Sequence, residues 1–335
     1  LRLPALSFGL FVALATVLQL GMATRAAADP TMGEIMAAVV AVRAEIRPNA
    51  RTMETLGPSR TGSGVLIGDD GLILTIGYVV MEAERIEVLT RDGARVAADF
   101  VAYDHDSGFG LLRARERLKA RPVELGDSGA LEKGARLLVV SVGMGMPISP
   151  VQVVSRRPFA GYWEYLLDSA IYTMPPHREY GGAALIDQSG KLVGIGSLLI
   201  NDAPGPTTEG FGNMFVPVEV LKPVLSQLVK SGRGDRPVRP WLGVYSQEFD
   251  GQLIIRKLAQ DGPGERAGLK LGDVILGVDG HKVTGLVEFY RMVHARGAAG
   301  SEVPLDIMSQ NAADISVRQI AVKSADRHGW LRLGN

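Results

Sequence analysis

The sequence predicts a mainly β chain made of two folded units. Three observations carry that expectation. Apolar runs flank Asp-Gly turns at Asp70-Gly71 and Asp92-Gly93, a hairpin signature, in a chain that holds 41 glycines. A basic Gly/Pro-rich stretch, Ser231 to Pro240 (S-G-R-G-D-R-P-V-R-P), divides the chain as a linker would. Beyond it, Leu286, Phe289, Tyr290 and Val293 recur at the spacing of one helix face, between apolar strand-like runs. A length of 335 residues leaves room for about two domains of ~150 residues each and a leader.

Composition bounds the function. Apolar content of 46% suits a chain that buries a core rather than a disordered one. Lysine plus arginine equal aspartate plus glutamate at 36 each, so no bulk field draws the chain to nucleic acid or anionic lipid. There is no cysteine, which excludes disulfides, thiolate metal sites and a cysteine nucleophile. No histidine pair has a spacing suited to a metal, and nothing calls for a cofactor.

Residues 1–28 read as a secretory signal. Arg2 opens it, Ala5 to Met22 is largely apolar, and Ala26-Ala27-Ala28 offers small residues for cleavage before Asp29. An uncleaved anchor over residues 5–22 is the alternative, since ~18 apolar residues can just span a bilayer.

The elements follow in order. Met32 to Ile46 predicts a short helix running into a strand, and Arg47 to Thr61 a polar loop. Gly62 to Thr75 predicts a hairpin, and Arg85 to Leu89 pairs with Ala94 to Asp99 across a second turn. Leu137 to Val142 is a buried strand, followed by a strand at Val151 to Ser155. Arg156-Arg157 opens a variable loop whose Tyr162, Trp163 and Tyr165 read as ordinary packing. Leu192 to Ser197 and Phe215 to Pro217 are further strands, and Val218 to Lys230 a closing helix.

Several of these stretches, in this order, resemble the HtrA-type (DegP-like) trypsin-fold serine proteases. They are Gly62-Ser63-Gly64, the Asp70-Gly71 turn with Ile73-Leu74-Thr75, Leu125-Gly126-Asp127-Ser128, Asp168 with Ala170-Ile171, Gly181-Gly182, and Phe215-Val216-Pro217. The resemblance covers Gly62 to Lys230 with gaps, and it implies a chymotrypsin-like double β-barrel. Its catalytic triad is degenerate here. Tyr78 stands where the family has its general-base histidine, Gly108 where it has its orienting aspartate, and Tyr180 where it has its serine, with extra residues within Tyr172 to Glu179.

Serine proteolysis needs an attacking hydroxyl, a base titrating near working pH and a carboxylate that orients that base. Tyrosine has an ordinary pKa of about 10 and is a poor proton acceptor. Glycine orients nothing, and a phenol is bulky where a small hydroxyl must reach a carbonyl. Arg178-Glu179-Tyr180 also replaces the Gly-Asn-Ser run whose backbone forms the oxyanion hole. Asp106 is either a solvated loop carboxylate or a neighbour of the former site. His177, three residues before Tyr180, is the one local partner for a displaced site, and otherwise an exposed, idle loop histidine.

After the linker, Trp241-Leu242-Gly243-Val244 and the run Gly262 to Gly280 (G-P-G-E-R-A-G-L-K-L-G-D-V-I-L-G-V-D-G) resemble the PDZ domain of the same family, a small α+β module. Leu253 to Leu258, Val303 to Met308 and Ser316 to Val322 supply its strands. Such a module adds an extended peptide to a sheet edge and captures its terminal carboxylate on loop amides. The resemblance thus implies peptide binding by Trp241, Leu242, Gly243 and Val244 with Leu286, Phe289, Tyr290 and Val293. The alternative is that these helix residues are pure core and the groove is shut.

The expected boundaries are a signal at 1–28, a protease-like domain at 29–230, a linker at 231–240, a PDZ domain at 241–323 and a tail at 324–335. The expected function is an inactive protease homologue, exported to the periplasm, that binds peptides or unfolded proteins with free C-termini in envelope quality control. The resemblance implies a homo-oligomer, a trimer, or assembly with active relatives. Two alternatives stand beside it: an endopeptidase with a displaced catalytic site, and a structural subunit.

Overall fold

A computed structural model of the chain describes residues 29–143, 145–309 and 317–333. The predicted signal at 1–28 and Ser316 lie outside the described residues. Among those described, no helix is long and apolar enough to cross a membrane.

Helix α1 (Met32–Ala38) starts at a capping box, in which Thr31 and Glu34 satisfy each other's backbone N–H groups. It runs directly into β1 (Val39–Ile46), where Val42, Ala44 and Ile46 face inward and Arg43 and Glu45 outward. With β2 (Ser59–Leu66), β3 (Leu72–Ile76), β4 (Ala83–Leu89), β5 (Arg95–Tyr103) and β6 (Phe109–Ala114), β1 forms a closed barrel in the order β1-β2-β3-β6-β5-β4. Both predicted Asp-Gly turns are present, with Gly71 at φ +80° and Gly93 at φ +89°, where a Cβ would be strained. The stretch predicted as a plain loop, Arg47 to Thr61, contains one helical turn, α2 (Met53–Leu56), and the start of β2. Tyr78 lies on another short turn, α3 (Gly77–Val80).

The second closed barrel runs β10-β11-β12-β9-β8-β7. Its strands are β7 (Arg136–Val140), β8 (Ile148–Gly161), β9 (Tyr165–Met174), β10 (Ala184–Ile186), β11 (Leu192–Ile200) and β12 (Gly212–Pro217). Here the sequence reading needs correcting. The variable loop at Arg156-Arg157 is the middle of a long hairpin, β8 paired with β9 as far as Gly161 opposite Tyr165. The two arginines look loop-like in sequence, but each finds partners on the barrel. Arg156 donates to the Ser128 carbonyl at 2.7 Å, and Arg157 donates to the carbonyls of Asp202 and Ala203 and sits 3.6 Å above the Tyr172 ring. The closing helix is likewise shorter than predicted. Pro223 has no N–H to donate, and the segment divides into a 3-10 turn at Val218–Val220 and α4 (Leu225–Ser231).

The third unit is a sheet in the order β13-β14-β15-β17-β18, with β16 beside β15. The strands are β13 (Val244–Phe249), β14 (Gln252–Leu258), β15 (Val274–Val278), β16 (His281–Lys282), β17 (Glu302–Met308) and β18 (Val317–Lys323). Helices α5 (Pro263–Arg266) and α6 (Leu286–Ala295) complete it. The tail is packed over its described residues, 324–333. It forms α7 (Arg327–Trp330), pairs Ala325 with Trp241, and sends the Arg332 N–H to the Glu82 carboxylate of the first barrel at 2.8 Å.

Candidate functional site

The two barrels, the β8–β9 tip, the PDZ-like unit and the tail enclose one cavity of about 610 Å³. Tyr78, Gly108 and Tyr180, the three positions singled out by sequence, all line it. Each is placed by a short-range device. Tyr78 rides the turn after β3. Gly108 ends a turn closed by its own N–H to the Asp104 carbonyl at 2.7 Å. Tyr180 precedes Gly181-Gly182, where the backbones of the two barrels meet. The Gly181 carbonyl accepts the Ser63 N–H at 2.8 Å, and a Cβ on Gly182 would fall 1.9 Å from the Ser63 carbonyl oxygen.

At the three positions singled out by sequence the chemistry is that of phenols, while Glu54, Lys257 and Arg327 line other parts of the wall and Lys257 donates to Thr55 Oγ1 at 3.0 Å. Tyr78 donates its hydroxyl to the Ser197 carbonyl at 2.9 Å. Burial, with the Tyr180 phenol adding to it, pushes the Tyr78 phenol well up from its ordinary value, so it holds its proton. Gly108 adopts φ +78°, and a Cβ there would meet the Tyr165 ring and hydroxyl at 3.1 Å. A side chain at 108 would sit in a strained backbone conformation and press on Tyr165. Glu179 is folded onto the preceding loop, accepting the Gly145 N–H at 3.0 Å.

The remaining titratable candidates are committed elsewhere. Asp106 faces Arg239 of the linker at 3.4 Å, and burial raises its carboxyl although that arginine opposes the rise. It does not line the cavity. His177 is buried, 3% exposed, which corrects the expectation of an exposed loop histidine. Its Nε2 lies 2.7 Å from Ser141 Oγ and its Nδ1 2.9 Å from Ser149 Oγ, while the His177 backbone N–H donates to Asn213 Oδ1 at 2.6 Å. Burial holds the imidazole below its ordinary value. The ring pins the loop to β8 and the end of β7, and the His177 backbone pins it to Asn213 of β12.

The PDZ-like unit presents the expected arrangement: the loop Trp241 to Val244, the edge strand β13, and α6 beside it. The sequence reading missed β13, although Val244 to Phe249 alternates buried and exposed positions at its start. Gly243 sits at φ +72° with Ala259 Cβ 3.1 Å from where its own Cβ would be. Its lack of a side chain thus serves the loop's own shape. A valine there would strain the loop itself.

The eight predicted peptide-contact residues are brought together, and all are buried. Leu242, Val244 and the four helix residues share an apolar cluster with the module's own strand residues, among them Leu253, Ile275, Val303 and Leu305, and the β8–β9 hairpin of the second barrel closes onto this cluster and the loop. Glu164, at its tip and 8% exposed, accepts the Leu242 N–H on Oε2 and the Val244 N–H on Oε1, each at 2.7 Å. Tyr290 donates its hydroxyl to the Gly161 carbonyl at 2.9 Å. Leu166 belongs to the same apolar cluster as Leu242, Leu286, Phe289, Tyr290 and Val293. Burial raises the Glu164 carboxyl to about 7 against the opposing pull of the two loop amides. No local sequence signal joins residue 164 to residue 242. The one cue is a glutamate at φ +60° in the last position of a three-residue hairpin loop, where glycine is the usual choice.

Comparison with known proteins agrees with this architecture. Residues 62–195 match the family model of the trypsin-like peptidase domain, and residues 240–318 that of the PDZ domain. A probable periplasmic serine endoprotease, DegP-like, from Bartonella henselae is 27% identical over 271 residues, 75% of this chain and 51% of that protein. The protein of the same description from Pseudomonas putida is 29% identical over 265 residues, 74% of this chain and 53% of that one. The chain therefore spans about half the length of the curated relatives it matches. Among solved structures, the HtrA-type protease AlgW with a tripeptide superposes with a TM-score of 0.51 at 21% identity, covering 88% of this chain and 95% of that one. With trypsin-like barrels followed by a PDZ domain, the chain has the domain architecture of the HtrA-type proteases to which it is similar.

Proposed function

We propose that this HtrA-type protein does not cleave peptides but binds the free C-termini of peptides and unfolded chains through its PDZ module, in the quality control of the bacterial envelope. The observation that carries the reading is the composition of the cavity. Tyr78, Gly108 and Tyr180 meet there, and among the described residues no histidine or aspartate lines its wall. Losing a triad member typically costs on the order of 10⁴–10⁶ in rate. The periplasmic descriptions of the relatives and the leader-like residues 1–28 support export. Further copies of the chain or active relatives are partners of the kind the family resemblance suggests.

The test has two parts. A fluorophosphonate probe should leave the protein unlabelled, and casein should not be hydrolysed above background. Calorimetry should find binding of a peptide ending in an apolar residue with a free carboxylate and none of its amide. Equal affinity for acid and amide would sink the carboxylate reading.

A second reading, an endopeptidase with a displaced site, is favoured by one contact. Ser141 Oγ and His177 Nε2 are at hydrogen-bond distance, with Glu179 3.9 Å from the same nitrogen. Against it, Ser141 is 0% exposed and outside the cavity. Robust casein cleavage abolished by both Ser141→Ala and His177→Ala would establish it.

A further inference from the structure

We propose that the β8–β9 hairpin is a built-in ligand of the PDZ module: Glu164 stands in for a peptide's terminal carboxylate and Leu166 for its terminal apolar side chain, so an incoming chain terminus binds by evicting the hairpin. This rests on the peptide-binding reading above and adds its regulation.

The argument begins with the loop. A carboxylate-binding loop is a set of backbone N–H donors, and donors left bare in a buried place are costly. Here the Leu242 and Val244 donors are each met by a different oxygen of one carboxylate, Glu164, at 2.7 Å. That is the two-oxygen engagement a chain terminus would make, and charge-assisted bonds of this length are strong. The carboxylate is also the wrong group to bury without such a purpose. Among the described residues Glu164 makes no salt bridge, although Arg327 is close enough to favour its charge. Two residues on, Leu166 is 6% exposed and shares one apolar cluster with Leu286, Phe289, Tyr290 and Val293, and α6 lies against β8 and β9. The helix face that sequence assigned to a peptide's last side chain is thus covered by a leucine of the barrel.

The hairpin is held by contacts that can be exchanged. Asp168 on β9 pairs with Arg291 of α6 at 2.8 Å, and both side chains are exposed. Tyr290 holds the Gly161 carbonyl. No ladder joins β8 or β9 to β13, whose one strand partner is β14. The hairpin thus meets β13 at its first residues, Val244 and Tyr245, and forms no ladder along the edge on which a peptide would pair. The same tip supplies Tyr162, Trp163 and Tyr165 to the cavity wall, so eviction also changes that wall. An occupied loop lowers the apparent affinity for a peptide by the fraction of molecules that are open.

The test uses the full chain, Glu164→Ala, Glu164→Gln and a fluorescent peptide with a free apolar C-terminus, alongside its amide. The latch predicts that Glu164→Ala binds the acid at least about tenfold more tightly than the parent, Glu164→Gln less so, and neither gains for the amide. Hydrogen exchange at Leu242 and Val244 is followed in parallel, and thermal unfolding checks that each variant folds. Exchange should rise in Glu164→Ala. Equal peptide affinity in parent and variants with unchanged exchange overturns the latch and leaves peptide binding standing. Faster exchange with no peptide binding in any variant upholds the latch and overturns the peptide-binding reading. Should Glu164→Ala fail to fold, the isosteric Glu164→Gln carries the same two comparisons.

Discussion

The cleft between the barrels and the loop of the PDZ module differ in how each can be silenced. The cleft's chemistry depends on side chains, and on the proposed reading Tyr78, Gly108 and Tyr180 fill none of the three roles of serine proteolysis. The loop's chemistry depends on backbone N–H groups, which almost no substitution removes. It is instead covered, by a carboxylate from elsewhere in the same chain. A side-chain site can be lost from the sequence, whereas a backbone site persists and can be occupied.

The largest expected effect concerns the cleft. Restoring Tyr78→His, Gly108→Asp and Tyr180→Ser together should still leave casein hydrolysis some 10⁴-fold or more below an active relative. An aspartate at 108 would need φ near +78° and would run into Tyr165, and Glu179 remains folded onto Gly145. Full activity in the triple variant would break the comparison by showing that the cleft, too, was only waiting for its groups.

Next is the seam between the barrels. Gly182→Ala drives a Cβ to 1.9 Å from the Ser63 carbonyl at φ +76°, and Gly196→Ala drives one to 2.0 Å from the Tyr180 carbonyl. Each should cost about 3 kcal/mol or more, measured by urea unfolding. A loss below ~1 kcal/mol would mean the cleft walls can part, and that the phenols are less fixed than their geometry implies.

A smaller loss is expected at the tail. Trp330 lies 4.9 Å from Trp241, ring to ring, and donates its indole N–H to the Gln260 carbonyl at 2.9 Å. Trp330→Ala should destabilise the chain by about 1–2 kcal/mol and loosen the loop that begins at Trp241. Faster exchange at Leu242 without loss of the barrels' protection would sharpen the contrast between a fixed cleft and a gated loop.

The smallest effect is one of pH. The docked Glu164 carboxyl sits at about 7, raised by burial, against an ordinary 4.5 when released. The groups that face it are Arg327, which opposes the rise, and the phenols of Tyr245 and Tyr290. A raised value means that docking takes up a proton. The closed form is most favoured below the ordinary value and loses that advantage as pH rises through about 7. A peptide carboxylate, at ~3.5, stays charged throughout. The free-acid peptide should therefore bind a few-fold more tightly at about pH 8 than at about pH 5.5, and the slope should vanish in Glu164→Gln. A slope that persists in that variant assigns it to another group.

Much of this molecule was legible in the chain because the relevant signals are local. Asp70-Gly71 and Asp92-Gly93 mark hairpins through the φ their glycines must adopt. The Leu286, Phe289, Tyr290 and Val293 spacing marks a buried helix face, and all four are 8% exposed or less. That Tyr78, Gly108 and Tyr180 would meet followed from matched flanking motifs, and they line one cavity. What failed locally did so for stated reasons: Pro223 divides the closing helix, and bonded arginines hide a strand at Arg156-Arg157. Tertiary structure alone decided what occupies the PDZ loop. Glu164 and Leu242 are separated by 78 positions, and nothing in either neighbourhood encodes the other. A loop of backbone donors can be read from Gly243 and its neighbours, but it accepts any carboxylate that the fold brings within reach. Which carboxylate arrives depends on how far β8 and β9 extend beyond their barrel and on where the linker sets the module down.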